Sequence, residues 1–420
     1  MKIQFGLVRS RAHEELATPF PAGQFGRSAS VPLLVSAVTS HAPPRERGKG
    51  NSLTANLDND GTPLVVHVVP TPRGRGAQLG ARILVDRLDE PGVVRHCLLG
   101  LVEGPPEVAV DLSLGYSGGS RPAEGFEPRL AFRLRKMIAR LNPAAIVAHG
   151  GDAMKYSVPA VVGTRRPLIY CVIGTYAGRP AALRELVWRR IMARANLVVA
   201  VGNEVFTECT GRFHVAPQRI VMIPYGRDPS DYPPRSGPSA SSDATLIFVG
   251  ALTPQKQPDR FIEVVRRLRS EGRSVQALIV GDGPLAESLA PVAAAEGVEL
   301  LGARTDVSEY FRRSDVFVFP SRPAGEGLPG VLIEAGLSGL PTVSTPAPGV
   351  STVLSDGQTG MIVDDSVATL AEAVGQLLDD PDRRVAMGAA ARKRCETTFT
   401  LDLMAQRWRT ALQPLVWPQV

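Results

Sequence analysis

Short apolar runs alternate with longer amphipathic stretches from Leu64 onward. In the first half of the chain the runs are LVVHVVP (64–70), VVRHCLLGLV (93–102), AAIVAH (144–149), PLIYCVIG (167–174), LVVAVG (197–202) and RIVMIPYG (219–226). The stretches with helical periodicity lie at 76–88, 128–141 and about 180–195. Short apolar runs between helices are typical of parallel strands that are buried on both faces. This half is therefore predicted to be a doubly wound α/β unit.

The alternation is interrupted by DPSDYPPRSGPSASSDA (228–244), which is rich in Pro, Ser, Gly and Asp and predicts a linker. It restarts with further expected strands, TLIFVG (245–250), QALIVG (276–281), VELLG (298–302), VFVFP (316–320) and PTVST (341–345), with helices in the gaps. From Pro381 to about Leu415 the pattern is helical. The fold class is therefore α/β, with two Rossmann-like doubly wound domains facing a central cleft. A ligand is expected at the carboxyl ends of the strands.

Domain boundaries follow from the same patterns. Residues 1–62 mix Pro, Gly, Ser and Arg without periodicity, so we expect a disordered N-terminal extension. The first Rossmann-like domain is predicted at 63–230, the linker at 231–244 and the second domain at 245–395. Residues 396–420 are predicted to be a C-terminal helix that packs back on the first domain.

Composition adds a difference in charge between the two halves. The 420 residues are 44% hydrophobic and 21% charged, which excludes a wholly disordered or fibrous protein. Residues 1–240 carry 30 Lys and Arg against 19 Asp and Glu, whereas residues 241–420 carry 17 against 22. A basic half can meet phosphate groups on lipid or nucleic acid. A generally basic composition with no such partner explains the surplus equally well.

Cysteine usage and hydropathy bear on the compartment. The four cysteines lie far apart, form no CxxC and have no zinc-site spacing, so reduced and buried thiols are expected. The uncharged segment 28–44 is short and contains three prolines, unlike a transmembrane helix. Its apolar stretch, 31–38, lies too far from the N-terminus for a signal peptide. We expect a cytoplasmic protein, with association at the inner membrane face as a further expectation.

Candidate chemistry lies at the expected strand ends of the second half. Gly250 ends a strand, and Lys256 follows six residues later. A glycine allows close backbone approach, and a lysine can neutralise a phosphate. Gly281 and Gly283 follow the next strand, and Pro284 suits a first helical turn. A solvent-exposed lysine and an ordinary turn remain the simpler alternatives.

The segment VFVFPSRPAGEGLPGVLIEAGLSGLP (316–341) carries the strongest signal. A strand ends at Pro320, and a helix is expected from about Leu328, whose first N–H groups would form an anion site. Glu326 and Glu334 are eight residues apart, up to ~12 Å along a helix axis. That separation matches the span from the ribose to the hexose of a nucleotide sugar, whose hydroxyls carboxylates can bind. The alternative is an N-terminal glutamate and an unrelated surface glutamate.

Taken together, these motifs resemble those of a known family. FVGALTPQKQPDRFI, LIVGDGPLAESL, VELLGARTDVSEYFRRSDVFVFPS and EGLPGVLIEAGLSGLPTVST follow, in order and spacing, the pattern of the GT-B-fold nucleotide-sugar glycosyltransferases, specifically retaining family 4 (group 1). The resemblance covers residues 64–415 and is strongest from 245 to 365. It implies that the first domain binds the acceptor and the second the donor.

The resemblance also implies roles for individual residues. Glu334 would bind the donor ribose, Glu326 would face the transferred sugar, and Lys256 would bind the diphosphate and stabilise it as it leaves. Gly250 and Gly281 would line the donor cleft, and Gly302 and Arg304 would meet the nucleobase. The other implied donor-site residues are Gly327, Leu328, Pro329 and Gly330, the last three offering backbone N–H groups to the diphosphate. In the first domain, Gly74 and Gly76 of PRGRGAQLGARIL (72–84) would approach the donor phosphate or the acceptor.

Three segments depart from the family pattern. Ala251 stands where the family usually has an arginine that shares the diphosphate charge, and Arg260 or Arg322 is a candidate replacement. Ile173 stands where a histidine is common. His149 then remains as the expected cleft histidine with a catalytic role, although a structural histidine at a strand end is the alternative. Thr352 stands where a glutamate is common, and Pro348 where a Gly-Gly is common.

A basic helix is expected at 179–196, RPAALRELVWRRIMARAN. Trp188, Ile191 and Leu183 are predicted to share a face surrounded by arginines, a pattern that can lie on an anionic membrane surface. A helix packed on the core with a solvated basic face is the alternative.

The resemblance predicts a retaining glycosyltransferase. It would move a hexose-type sugar from a nucleotide-diphosphate sugar, UDP-sugar first and GDP-mannose second, to a hydroxyl of a glycan or glycolipid of the cell envelope. No cofactor, metal ion or nucleic-acid partner is expected. The alternatives are a catalytically weak or silent nucleotide-binding protein, which the three departures would explain, and a nucleotide-sugar epimerase or hydrolase. A dinucleotide oxidoreductase is disfavoured because no strand is followed by G-x-G-x-x-G.

Overall fold

A computed structural model of the chain describes residues 61–71, 76–103, 107–116, 125–176, 182–234, 243–322 and 327–417. The predicted disorder of residues 1–62 therefore concerns residues that lie almost wholly outside the described part, and so does most of the predicted linker 231–244. All the described residues belong to one unit by their contacts.

The first half forms a parallel sheet of seven strands. They are β1 (Leu64–Val69), β2 (Arg95–Val102), β3 (Leu112–Tyr116), β4 (Ala145–His149), β5 (Leu168–Val172), β6 (Leu197–Ala200) and β7 (Ile220–Met222), in the order β3-β2-β1-β4-β5-β6-β7. The helices between them are α1 (Gly76–Leu88), α2 (Pro128–Leu141), α3 (Gly150–Val161), α4 (Ala182–Met192) and α5 (Asn203–Gly211). The strand order reverses direction between β1 and β4.

The second half repeats this arrangement with six parallel strands. They are β8 (Ala244–Val249), β9 (Val275–Val280), β10 (Glu299–Leu300), β11 (Val316–Phe319), β12 (Thr342–Ser344) and β13 (Gly360–Ile362), in the order β10-β9-β8-β11-β12-β13. The helices are α6 (Pro258–Ser270), α7 (Ala286–Ala295), α8 (Val307–Arg312), α9 (Gly330–Leu337), α10 (Val350–Val353) and α11 (Val367–Asp379). Here the order reverses between β8 and β11, and ligands of such sheets bind at that switch point.

The two predicted doubly wound units are confirmed, but two strands were missed in the sequence. β3 alternates buried and exposed residues, and β13 has three residues with only its glycine buried. Both are edge strands, which lack a neighbour on one side and so need no continuous apolar run. The cores are largely aliphatic, and all four cysteines are buried and unpaired.

The C-terminal helical run is divided into α12 (Pro381–Thr398) and α13 (Leu401–Val416). The break lies at Thr400, whose hydroxyl caps α13 by accepting the N–H of Leu403 at 3.2 Å. The backbone of Arg227 forms a hydrogen bond with the residue on each side of Thr400. Its N–H donates to the carbonyl of Phe399, and its carbonyl accepts the N–H of Leu401. α13 then packs against α1, with an ion pair of 2.7 Å between Arg409 and Glu90.

Candidate active site

Three of the predicted glycines meet at the carboxyl edge of the second sheet. Gly250, Gly281 and Gly302 follow β8, β9 and the end of β10. The N–H of Gly281 donates to the carbonyl of Gly302 at 2.8 Å, and the N–H of Gly250 donates to the carbonyl of Val280 at 3.0 Å. Gly281 has a φ of +141°, and a Cβ there would collide with the carbonyl oxygen of Gly250. Glycine is therefore required at 281 for the two strand ends to lie this close.

Lys256 lies at the switch point of the second sheet. Its Cγ would lie 3.9 Å from a Cβ at Gly250, which follows β8, and its ammonium lies 4.9 Å from the ring centroid of Phe319 at the end of β11. The loop between β8 and α6 ends at Gln257, which has a left-handed backbone with a φ of +51°, and Pro258 begins α6. This places a positive charge between β8 and β11, where a parallel sheet of this order binds its ligand.

The first turn of α9 lies at the same edge. Pro329 is its N-cap, Gly330 its first residue, and Leu328 is buried. One expectation from the sequence was wrong, because Pro329 has no N–H and cannot donate to a phosphate. Leu328 and Gly330 retain theirs. Glu326 lies outside the described residues, and its predicted role is not tested by the structure.

Glu334 lies on α9 with its side chain 3% exposed and forms an ion pair with Arg227. Nε of Arg227 donates to Oε1 of Glu334 at 2.8 Å. Burial lowers the pKa of Arg227, but the charge of Glu334 and hydrogen bonds to Glu334 and Tyr232 together raise it above its ordinary value. Arg227 was not recognised in the sequence. The only local signal was a charged residue directly after the apolar run RIVMIPYG.

The remaining predicted donor and loop residues lie at more open positions. Arg304 is exposed, with its guanidinium 5.9 Å from the ring centroid of Tyr310. Gly76 begins α1 and is exposed, and a Cβ there would meet no atom within 4 Å. Gly74 lies outside the described residues.

His149, at the end of β4, points into the interior of the first half. It is 2% exposed, and its Nε2 lies 3.0 Å from Nδ1 of His67. Nε2 of His67 lies 2.9 Å from Nδ1 of His96, so three histidines form a buried chain. Trp408 of α13 packs against His67 and His149. This placement favours the structural alternative, and we give His149 no part in the proposed reaction.

The buried histidines predict an acid-sensitive fold. Burial lowers the pKa of His96 and of His149 to about 4, and Arg409 also lowers that of His96. Burial, together with the neighbouring histidines and Arg82, lowers the pKa of His67 well below its ordinary value. The unfolded chain binds protons near the ordinary pKa of about 6.5, so stability is full above that pH and is lost as the pH falls toward 4. We expect a loss of up to about 1.4 kcal/mol per pH unit for each histidine.

Denaturant unfolding between pH 7.5 and 4.5 measures this loss. His96→Leu is expected to reduce the pH dependence of the free energy of unfolding by the contribution of one histidine. His214→Asn is the matched control, because His214 is exposed and its φ of +52° suits asparagine. An unchanged slope in His96→Leu would contradict the assignment.

Two of the departures from the family pattern lie where the two halves meet. The hydroxyl of Thr352 accepts the N–H of Asn203 at 2.8 Å. The carboxylate of Glu204 accepts the N–H of Gly349 at 2.9 Å and the hydroxyl of Ser351 at 2.7 Å. The carbonyl of Ile173, after β5, lies so close to Gly327 that a Cβ at 327 would collide with it. Ile173 and Thr352 therefore hold the strand ends of the first sheet against the loops around α9 and α10.

Metal and membrane elements were also searched in the described part of the chain. No group of three or more His, Cys, Asp or Glu side chains there is arranged to hold a metal ion. None of its helices combines the length and the apolar character needed to cross a membrane.

Two doubly wound units with parallel sheets in one chain are the architecture of the GT-B fold. Solved structures share this fold. Anabaena Alr3699/HepE in complex with UDP and glucose superimposes with a TM-score of 0.69 at 17% identity, over 83% of this chain and 99% of its own. Sucrose-phosphate synthase from Thermosynechococcus elongatus does so with a TM-score of 0.70 at 16% identity, over 84% and 99%. The predicted GT-B fold is confirmed.

The family follows from the sequence matches. The family described as glycosyl transferases group 1 matches residues 243–380, and glycosyltransferase family 4 matches residues 66–231. The chain belongs to the group 1 glycosyltransferases of the GT-B fold, as the resemblance predicted.

Two curated relatives are similar over part of their length. The D-inositol 3-phosphate glycosyltransferase of Nocardia farcinica is 31% identical over 54% of this chain and 57% of its own. The GDP-mannose-dependent alpha-(1-6)-phosphatidylinositol monomannoside mannosyltransferase of Mycobacterium tuberculosis (strain CDC 1551 / Oshkosh) is 32% identical over 39% and 46%. The matches thus span about half the length of each relative.

Proposed function

We propose that this chain is a retaining glycosyltransferase that moves a hexose-type sugar from a nucleotide-diphosphate sugar to an acceptor hydroxyl. The observation that carries the proposal is the position of Lys256. Its ammonium lies 4.9 Å from the ring centroid of Phe319 at the end of β11, and its Cγ would lie 3.9 Å from a Cβ at Gly250, after β8. A diphosphate bound there would lie next to a positive charge and to the glycines that allow close backbone approach.

In this proposal the protein acts through positioning and charge. Lys256 and the first turn of α9 stabilise the diphosphate as the bond to the sugar breaks. Glu334 binds the ribose, and Glu326 faces the sugar at the reacting centre. An oxygen of the leaving diphosphate takes the proton of the acceptor hydroxyl on the same face of the sugar, so the anomeric configuration is kept. The absence of a metal requirement stays a prediction.

The donor is a UDP-sugar or GDP-mannose. GDP-mannose is supported by the name of the mycobacterial relative, which is 32% identical over 39% of this chain. The UDP found with Anabaena HepE comes from a protein of only 17% identity. The sequence analysis ranked a UDP-sugar above GDP-mannose as the donor. We now give the two candidate donors equal weight.

The acceptor is proposed to be a glycan or glycolipid hydroxyl on a molecule that carries a phosphate. Both curated relatives are named for an inositol phosphate or a phosphatidylinositol acceptor. The basic surplus of residues 1–240 is complementary to such a group.

A turnover assay tests the proposed activity. The purified protein is incubated with UDP-glucose, UDP-N-acetylglucosamine or GDP-mannose and a panel of inositol phosphates and phosphatidylinositol. We expect release of the nucleoside diphosphate only with one donor and an acceptor together, and a product whose anomeric proton shows the configuration of the donor by NMR. Release of the nucleoside diphosphate without acceptor would favour a hydrolase, and conversion of the donor to an epimer would favour an epimerase. No turnover would favour a catalytically silent protein.

We propose further that the protein rests on an anionic membrane surface through α4 and α2, which both pack against α3. α4 exposes Leu183 (73%), Leu186 (45%) and Val187 (47%) among arginines. The predicted shared face was wrong, because Trp188 packs inward against Tyr176 whereas Leu183 points outward.

α2 contains no acidic residue, and its exposed face carries Phe132, Arg129, Arg133, Lys136 and Arg140. Apolar tips among cations suit a lipid interface.

Vesicle binding checks this surface. The double variant Leu183→Ser/Val187→Ser is expected to bind vesicles of phosphatidylglycerol and phosphatidylcholine about tenfold more weakly, since it loses two side chains that insert among lipids. Val385→Ser is the matched control, because Val385 is 70% exposed on α12. Equal loss in both variants, or no binding by the unchanged protein, would contradict the proposed surface.

A further inference from the structure

The donor site as predicted contains one cation for a diphosphate. The arginine expected after Gly250 is Ala251, and Lys256 alone remains. Of the two replacements considered in the sequence, Arg260 is bound to the carboxylate of Asp365, and Arg322 is exposed.

We propose that Arg227 is the second cationic donor-binding residue and takes the part of the missing arginine; this rests on the proposed function. Arg227 lies far from Ala251 in the chain, after β7, but reaches the donor edge through the fold. Its guanidinium lies against Gly330, the first residue of α9, so closely that a Cβ at 330 would collide with Nη2. Gly330 therefore provides the space that Arg227 occupies.

The backbone of Arg227 is held firmly. Its N–H and carbonyl are bonded to Phe399 and Leu401, and a Cβ at Gly226 would collide with the carbonyl of Thr400. The side chain thus extends from a fixed point between α12 and α13 to α9. Little conformational entropy remains to be lost when a ligand binds a group held in this way.

The hydrogen bonds of Arg227 leave donors for a ligand. Nε donates to Glu334, Nη1 donates to the carbonyl of Gly226 at 3.1 Å, and the guanidinium also bonds Tyr232. A guanidinium has five N–H groups, so two have no partner among the described residues. They belong to a side chain that is 12% exposed and lies beside the helix start where the diphosphate is expected. Arginine matches phosphate oxygens with paired N–H groups.

The same arrangement links ribose and phosphate recognition. Oε1 of Glu334 is held by Arg227, which fixes the carboxylate and leaves Oε2 for a ribose hydroxyl. The ion pair also means that the ribose-binding carboxylate adds no net negative charge next to the diphosphate. Arg227 thus carries out two tasks with different N–H groups.

Calorimetry can separate these two tasks. The quantity to measure is the ratio of the affinity for the nucleoside diphosphate to that for the nucleoside, using UDP with uridine and GDP with guanosine. Arg227→Met leaves Glu334 as an unpaired buried charge and can fail to fold. The comparison is therefore made between Glu334→Gln, whose amide oxygen can still accept from Nε of Arg227, and Arg227→Met/Glu334→Gln, in which neither buried charge remains. Arg260→Met is the matched control.

We expect the ratio to fall at least tenfold from Glu334→Gln to the double variant, and to be unchanged in Arg260→Met. Adding Ala251→Arg to the double variant is expected to restore much of the ratio. If the double variant changes only the affinity for the nucleoside, or if its ratio equals that of Glu334→Gln, Arg227 does not bind the phosphates. Failure of the unchanged protein to bind any nucleotide would contradict the proposed function itself, and this inference with it.

Discussion

Replacing Glu326 with glutamine is expected to lower kcat by about 10²–10³-fold, because a charge placed at the reacting centre acts mainly in the transition state. The melting temperature and the donor KM are expected to change little. Glu326 lies outside the described residues, but the next residue is fixed: Gly327 is buried against the carbonyl of Ile173.

Single-turnover and steady-state kinetics measure this effect. Glu309→Gln is the control, because Glu309 is an exposed glutamate whose ion pair with Arg312 lies on α8. Activity of Glu326→Gln within about threefold of the unchanged protein, in both kcat and kcat/KM, would remove Glu326 from the reacting centre.

Replacing Gly281 with alanine is expected to have the largest effect on stability and donor binding together. The residue has a φ of +141°, which side chains rarely adopt, and its Cβ would collide with the backbone of Gly250. Backbone atoms cannot give way as a flexible side chain can, so the ends of β8 and β9 must separate. We expect a loss of at least about 3 kcal/mol in the free energy of unfolding.

The control variant Gly357→Ala separates the effect of backbone strain from the effect of a Cβ that collides with neighbouring atoms. Gly357 also has a positive φ, +71°, but a Cβ there would meet no atom within 4 Å. Gly357→Ala should therefore lose only about 1 kcal/mol and keep its nucleotide affinity. Chemical unfolding and calorimetry with UDP and GDP provide both readouts. A Gly281→Ala variant that behaved like Gly357→Ala would show that the contact of the two strand ends is not needed.

The elements of the fold could be predicted where burial is continuous. β1 and β8 are central strands with apolar residues on both faces, and their runs in the sequence mark them within a residue or two. β3 and β13 could not be found in this way, because edge strands keep one side free of partners and need fewer apolar residues. The break at Thr400 was missed because helical periodicity continues across it.

The candidate site was predicted to the extent that its residues are close in sequence to strand ends. Gly281 directly follows β9, and Lys256 lies in the loop after β8, so the rule for parallel sheets places them at one edge. Arg227 could not be predicted, because its partner Glu334 is 107 residues away and only the fold brings them together. The burial of His149 could not be predicted for the same reason, because its partner His67 lies on another strand.

We propose that the carboxyl edge of the second sheet binds a nucleoside diphosphate through Lys256 and Glu334. The most direct measurement is calorimetric titration of the unchanged protein, Lys256→Met and Glu334→Gln with UDP, GDP and ADP. We predict selective binding of one nucleotide by the unchanged protein and affinity at least about tenfold weaker in each variant, the scale of a lost charged hydrogen bond. No binding of any nucleotide, or equal affinity in all three proteins, would contradict the account.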